Sequence, residues 1–172
     1  VLTAGIPPTS AMPPKALKER GFAGSIFQTY GSLNNEFLKV GGRDVEGAVT
    51  AASSKFLVLD ELSDTDPVKQ RMGGVVASYE KAYGKGSAVS YIMSLDDARQ
   101  IAAFGIDKAL QEKRKPGTPE FRQVVRDAIE NAKNLQLSQS RVSFSPTNHT
   151  NIDRDSVTFV TVTNGKWTVY KQ

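Results

Sequence analysis

At 172 residues and 18.7 kDa, with 39% hydrophobic and 23% charged residues, the chain can bury a core as one domain or two small ones. No apolar run approaches the ~18 residues of a membrane span, and a mild net charge of +4, spread along the chain, gives no basis for nucleic-acid binding. The absence of cysteine excludes disulfide scaffolds, thiol catalysis and thiolate metal sites, and leaves the compartment open.

The chain starts inside an apolar run, residues 1–6, with no leader or methionine, as expected of a piece of a longer or processed protein. Pro7-Pro8-Thr9-Ser10 cuts this run off. Residues 11–20 then read as a helix behind a Ser10 cap, stopped by Gly21-Phe22-Ala23-Gly24. Residues 25–30 form a second apolar run ended by Gly31. Strand, loop, helix, turn and strand make a parallel βαβ unit. Ligands of open α/β sheets sit beyond the carboxyl ends of such strands, which places the candidate binding loops at Gly5-Ile6-Pro7-Pro8 and Tyr30-Gly31-Ser32.

A short helix over 34–40 follows, with Leu33, Phe37, Leu38 and Val40 on its apolar side and Gly41-Gly42 as its stop. Residues 45–52 supply a third strand and 56–59 a brief apolar stretch. The acidic, turn-rich stretch 60–66 is a crossing between structural blocks.

From Pro67 the pattern is helical. Asp66 caps the first helix, and Val68, Met72, Val75, Val76, Tyr79 and Tyr83 recur at the steps of one buried face before the break at 84–87. A second helix runs from Ser90 or Ser94 to Lys113. Leu95, Ala98, Ile101, Ala102, Gly105, Ile106, Ala109 and Leu110 are its expected inward side. Lys113-Arg114-Lys115 suits the negative end of that helix. Thr118-Pro119-Glu120 opens a third helix, whose face is Phe121, Val124, Val125, Ala128 and Ile129. Residues 134–139 read as its exit, 142–146 as a short strand and 147–155 as polar loop. Two strands flanking Asn164-Gly165, the strongest hairpin dipeptide, close the chain.

No catalytic constellation emerges. His149 is the sole histidine and stands in a polar loop, so it is read as structural, and no transition-metal cluster is assembled around it. The nucleophile elbow, the P-loop and the dinucleotide fingerprint are absent. Gly84-Lys85-Gly86-Ser87 follows a helix rather than a strand, which makes it a helix stop. Asp96-Asp97 is explained by the positive end of the second helix. Tyr30 offers a ring for stacking and a hydroxyl for bonding, and is equally consistent with a tyrosine packed at the sheet end. Tyr91, near a helix start, faces either core or cleft.

Several stretches, in this order, resemble one family. They are Val1-Leu2-Thr3-Ala4-Gly5 leading to Lys18-Glu19-Arg20-Gly21-Phe22, residues 25–31, and Gly41-Gly42 through Val45-Glu46-Gly47-Ala48. Tyr79-Glu80-Lys81-Ala82-Tyr83-Gly84, the run from Lys115 to Glu130, Asn148-His149-Thr150 and Asn164-Gly165-Lys166-Trp167 continue the likeness. Together they resemble the C-terminal half of the solute-binding proteins of ABC importers for branched-chain amino acids and aromatic acids, the type I periplasmic-binding fold. The resemblance implies an incomplete two-lobe α/β fold with parallel βαβ units, a three-helix segment and a C-terminal β-hairpin. Residues 1–53 would end the second lobe, 54–65 cross over, 66–155 form the helical part of the first lobe, and 156–172 return to the second. Roughly the first half of the mature protein would lie outside this chain.

The implied role is non-enzymatic. A small-molecule ligand would be held between two lobes and delivered to the membrane subunits of an ABC permease, outside the cytoplasm (the periplasm or its equivalent), without cofactor, metal or nucleic acid. The implied ligand-binding residues are Gly5, Ile6, Pro7, Tyr30, Gly31 and Tyr91. Ile6-Pro7 stands where the family commonly has a ligand-touching aromatic. Tyr30 stands where amino-acid binders carry an acid for the ligand's ammonium. A phenol is no counter-ion at neutral pH, so an aromatic or other organic acid is expected rather than an amino acid. Asn148 replaces the family's usual acid before the histidine. The alternative is a ligand-sensing regulatory domain of the same fold, while an α/β enzyme is disfavoured by the missing motifs. Surfaces made for the absent half would favour self-association.

Overall fold

The computed structural model describes residues 1–150 and 156–171; the part of the expected polar loop at 151–155 lies outside the described residues. The chain forms two compact units, Val1–Gln70 with Val157–Gln172, and Arg71–Ser156.

In the first unit, β1 (Leu2–Thr3), β2 (Phe27–Gln28), β3 (Val49–Ala52), β6 (Thr158–Thr163) and β7 (Lys166–Val169) make a five-stranded sheet in the order β1-β2-β3-β6-β7. The first three strands are parallel, β6 adds antiparallel to β3, and β7 adds antiparallel to β6. Helix α1 (Met12–Glu19) joins β1 to β2, and α2 (Asn35–Gly41) joins β2 to β3. The expected βαβ arrangement is present. Its strands are shorter than the apolar runs, because residues 30–32 and 42–45 wind into 3-10 turns instead of extending.

Ser10 does not cap α1. A 3-10 turn over Thr9–Ala11 leads into the helix, Ala11 holds the cap position, and no side chain bonds there. Proline in the first turn removes an N–H that would otherwise need an acceptor. Asn34 caps α2 by accepting from Phe37 N at 3.0 Å. The core beneath the sheet is built on Phe37, Val45, Ala52, Val160, Val162 and Trp167. Trp167 stacks on Phe37 at 5.7 Å and donates from Nε1 to Asn34 O, binding the last strand to α2. The hairpin turn takes the positive φ angles that Asn164 and Gly165 tolerate, and the Glu46 carboxylate accepts both of their N–H groups.

The second unit holds most of α3 (Pro67–Tyr83), all of α4 (Tyr91–Gln111) and α5 (Pro119–Glu130), and a small antiparallel pair, β4 (Leu135–Gln136) with β5 (Arg141–Val142). The helix starts follow the sequence: Asp66 accepts from Val68 N at 2.7 Å, and Thr118 from Phe121 N. The inward faces follow it less well. Met72 is fully buried on α3, but Tyr83 is 70% exposed. On α4 the buried residues are Ile92, Met93, Asp97, Gly105 and Ala109, whereas Leu95, Ala98, Ala102, Ile106 and Leu110 are exposed. The helix is rotated because Asp97 turns inward to bond the 138–140 loop, and because Gly105 abuts Val125 and Ile129 of α5. The exit expected over 134–139 is in fact the first strand and loop of the β4–β5 hairpin. Two-residue strands carry too little alternation to be read from sequence.

Candidate functional site

At the carboxyl ends of the parallel strands, β1 and β2 run side by side with Thr3 opposite Gln28. Beyond Thr3 the chain turns sharply. Ile6 O accepts from Ser10 N at 3.1 Å and from Thr9 Oγ1 at 2.9 Å, which pins the loop through Gly5, Ile6 and Pro7 to the start of α1. Beyond Gln28, Thr29 N donates to Thr3 O, and Tyr30 begins the 3-10 turn.

The two loops meet at Gly31. A Cβ on this residue would stand 2.8 Å from Gly5 O and 3.1 Å from Ile6 Cγ2, so the approach requires glycine. The structure therefore brings Gly5, Ile6 and Gly31 together. Ile6 presents its side chain outward at 66% exposure, and Pro7 is half-buried. The ring of Tyr30 packs against the core and its hydroxyl oxygen is closed off from solvent. Tyr91 belongs to the second unit, where it opens α4 and is 49% exposed.

Below this rim lies a buried polar group that sequence reasoning missed. Gln28 and Thr50 are register partners on the core side of the sheet, and Ser10 and Ser32 are buried as well. Ser32 Oγ donates to Gln28 Oε1 at 3.1 Å, while Ser10 Oγ, Gln28 Nε2 and Thr50 Oγ1 have no hydrogen-bond partner among the described residues. The readable signal was a glutamine and a threonine at inward-facing strand positions, where apolar residues are the rule.

In the second unit, Asp96 and Asp97 are not a first-turn pair; they lie in the second turn of α4, beyond the reach of the dipole. Asp97 accepts from Ser138 N at 2.8 Å, Gln139 N at 3.3 Å and Ser140 Oγ at 3.1 Å. Asp96 accepts from Ser138 Oγ at 2.6 Å, Gln100 Nε2 at 2.7 Å and Arg99 Nε at 2.9 Å. Burial pushes the Asp97 carboxyl above the usual carboxylate range despite its bonds. Burial opposes the Asp96 charge too, but the bonds from Ser138, Arg99 and Gln100 outweigh it and hold that group low. Both carboxylates are consumed in anchoring a loop. His149 Nε2 sits 3.1 Å from Glu130 Oε1 on an exposed surface. Among the described residues no group of three or more His, Cys, Asp and Glu side chains is placed to hold a metal ion, and no helix is long and apolar enough to cross a membrane.

No family model matches the sequence, and no curated protein matches it. Solved structures do. The chain is similar over 99% of its length to an extracellular ligand-binding receptor from Rhodopseudomonas palustris HaA2, at 34% identity and a TM-score of 0.88, covering 46% of that receptor. A second extracellular ligand-binding receptor from the same organism matches 96% of the chain at 31% identity and a TM-score of 0.84, again over 46% of its own length. A leucine binding protein from Thermotoga maritima shares the fold at 22% identity, with a TM-score of 0.74 over 99% of this chain and 43% of that one. The chain thus spans a little under half the length of each of these structures.

Proposed function

We propose, on the premise that the chain belongs to the type I periplasmic-binding fold and makes up under half of such a protein, that it is the C-terminal part of a solute-binding component of an ABC importer. The observation that carries this reading is the 34% identity, over 99% of the chain, to an extracellular ligand-binding receptor. The rim at Gly5, Ile6, Pro7, Tyr30 and Gly31 supplies one wall of the ligand cleft, and Tyr91, in the second unit, is a separate candidate for ligand contact. The protein works outside the cytoplasm and makes no covalent change in its ligand. It stabilises a closed state by the difference in ligand affinity between closed and open lobes, then hands the ligand to the permease.

The ligand is an aromatic or other organic acid without an amine. None of the five rim residues is acidic, and an ammonium buried there without a counter-ion would be costly. Ile6 gives the rim an exposed apolar side chain suited to a ring or alkyl group.

Calorimetry on the full-length protein tests this. Micromolar binding of an aromatic or other organic acid, with leucine and valine inert, is the expected result. Tight binding of leucine or valine with every amine-free acid inert overturns it. The 172-residue chain alone carries only part of the cleft, so the same ligands bind it weakly or not at all. Alone it also self-associates, and light scattering that finds a strict monomer counts against this.

A further inference from the structure

Asn164 is the only asparagine of the chain that a glycine follows. The pair forms a two-residue loop between Thr163 and Lys166, which face each other across β6 and β7. Both loop residues are exposed, and both take left-handed φ angles, 52° and 71°. The dipeptide that best makes this turn is also prone to react with itself. An asparagine side chain can close a five-membered ring onto the next backbone nitrogen, and glycine puts no Cβ in the way.

Ring closure needs Gly165 N stripped of its proton and turned toward Asn164 Cγ. In the folded hairpin that N–H is committed elsewhere. It donates to Glu46 Oε1 at 2.6 Å, while Asn164 N donates to Glu46 Oε2 at 3.0 Å. A carboxylate facing an N–H makes a charge-assisted bond, and its negative charge opposes loss of that proton. Glu46 is itself held in place. Gly47 N donates to Val162 O at 3.0 Å and Val162 N to Ala48 O at 3.1 Å, which ties its segment to β6 beside the turn. An Asn-Gly hairpin closes without such a clamp, so the clamp adds something the turn does not require.

We propose that Asn164 is a site of spontaneous deamidation, and that Glu46 sets its rate by holding the Gly165 N–H. When the clamp opens, Gly165 N gives its proton to hydroxide and bonds to Asn164 Cγ. The Cγ–Nδ2 bond breaks, and the side-chain nitrogen takes a proton from water and leaves as ammonia. A second water opens the resulting succinimide. Breaking the new N–Cγ bond gives aspartate. Breaking the bond from Gly165 N to the Asn164 carbonyl carbon gives isoaspartate, with Cγ now in the main chain. Either product puts a carboxylate at residue 164, beside that of Glu46. Isoaspartate also lengthens the two-residue loop by one backbone atom, which loosens the register that seats Trp167 on Phe37. None of this depends on the ligand or on the transport reading.

Peptide mass spectrometry on the full-length protein, aged at mildly alkaline pH well below its melt, tests the proposal. Wild type is compared with E46A and with V160A, which weakens the core and leaves the clamp intact. Deamidation at residue 164 is expected at least ~10-fold faster in E46A, because two charge-assisted bonds no longer close the turn, with V160A near wild type. An equal rate in E46A overturns the proposal. A slower one also does so, by making Glu46 the base that takes the proton. V160A as fast as E46A overturns it too, since unfolding and not the clamp would then set the rate. So does wild type that reacts as fast as an unfolded peptide of residues 157–166. If E46A fails to fold by circular dichroism, E46Q, with one acceptor for two amides, is read in its place. There the expected gain is at least ~3-fold, and an equal or slower rate overturns the proposal.

Discussion

Replacing Asp97 with alanine should loosen the loop at 138–140 before it harms anything else. The carboxylate accepts the N–H groups of Ser138 and Gln139 and the hydroxyl of Ser140, and Asp97, Ser138 and Ser140 are all buried. A buried donor stripped of its acceptor costs about 1–3 kcal/mol. The Ser138 bond, at 2.8 Å, counts near the middle of that range. The Gln139 bond, at 3.3 Å and half-exposed, counts near the bottom. Removing a carboxylate that burial already disfavours returns part of the loss. The net expectation is about 2 kcal/mol, or a fall of roughly 8–16 °C in the midpoint of a unit this size. Asp97→Asn keeps an acceptor for both amides, and should lose less than half as much. Thermal melts of both variants, with hydrogen exchange at the Ser138 and Gln139 amides, measure this. A fall under ~2 °C in Asp97→Ala, or unchanged protection of those two amides, would refute the account of the loop.

Asp96 and Asp97 should respond to acid in opposite directions. Asp97, raised when folded, binds its proton more readily in the folded state, so its contribution to stability improves as pH falls from the raised value toward 3.8. Asp96, lowered when folded, contributes stability above 3.8 that is lost as pH falls through its lower folded value. Melts of Asp97→Asn and Asp96→Asn against pH should show these slopes removed one at a time. Thr50→Val should be neutral or stabilising by up to about 1 kcal/mol in denaturant titration, because Thr50 Oγ1 is buried without a partner among the described residues; a loss above ~1 kcal/mol would reveal a bonded hydroxyl. Gly105→Ala should destabilise by about 1 kcal/mol despite better helix propensity, since the new Cβ would lie 2.9 Å from Ile129 Cγ1 and 3.0 Å from Val125 Cγ1. Gly31→Ala in the full-length protein should weaken ligand binding at least ~10-fold while the melt moves little, because the loops at Gly5 and Gly31 must part; unchanged affinity would remove Gly31 from the rim.

Local chemistry made the fold readable where it acts over three or four residues. Thr118-Pro119 marked the start of α5, and Asn164-Gly165 the final hairpin turn. The closeness of the Gly5 and Gly31 loops was readable too, because adjacent parallel strands leave them no other place. What failed were features decided at a distance. Periodicity made Leu95 and Ile106 the inside of α4, but Asp97 reaches a backbone 41 residues on and turns the helix toward it. Ser10 looked like a cap because serine before a helix usually is one, and the prolines of α1 remove the need. The enclosure of the Tyr30 hydroxyl depends on packing that no local pattern encodes.

The sheet of the first unit is closed by a strand made late. The chain leaves this unit at Gln70 and comes back at Val157, and the Glu46 carboxylate grips a turn 118 residues downstream. On the ribosome, β3 waits with no partner on that side until β6 emerges, and everything from 71 to 156 is made in between. Early collapse of that inserted stretch would shorten the span to be bridged and lower the entropy lost in bridging it. Stop codons before residue 157 should accordingly harm the sheet of residues 1–70 more than the stretch 71–156.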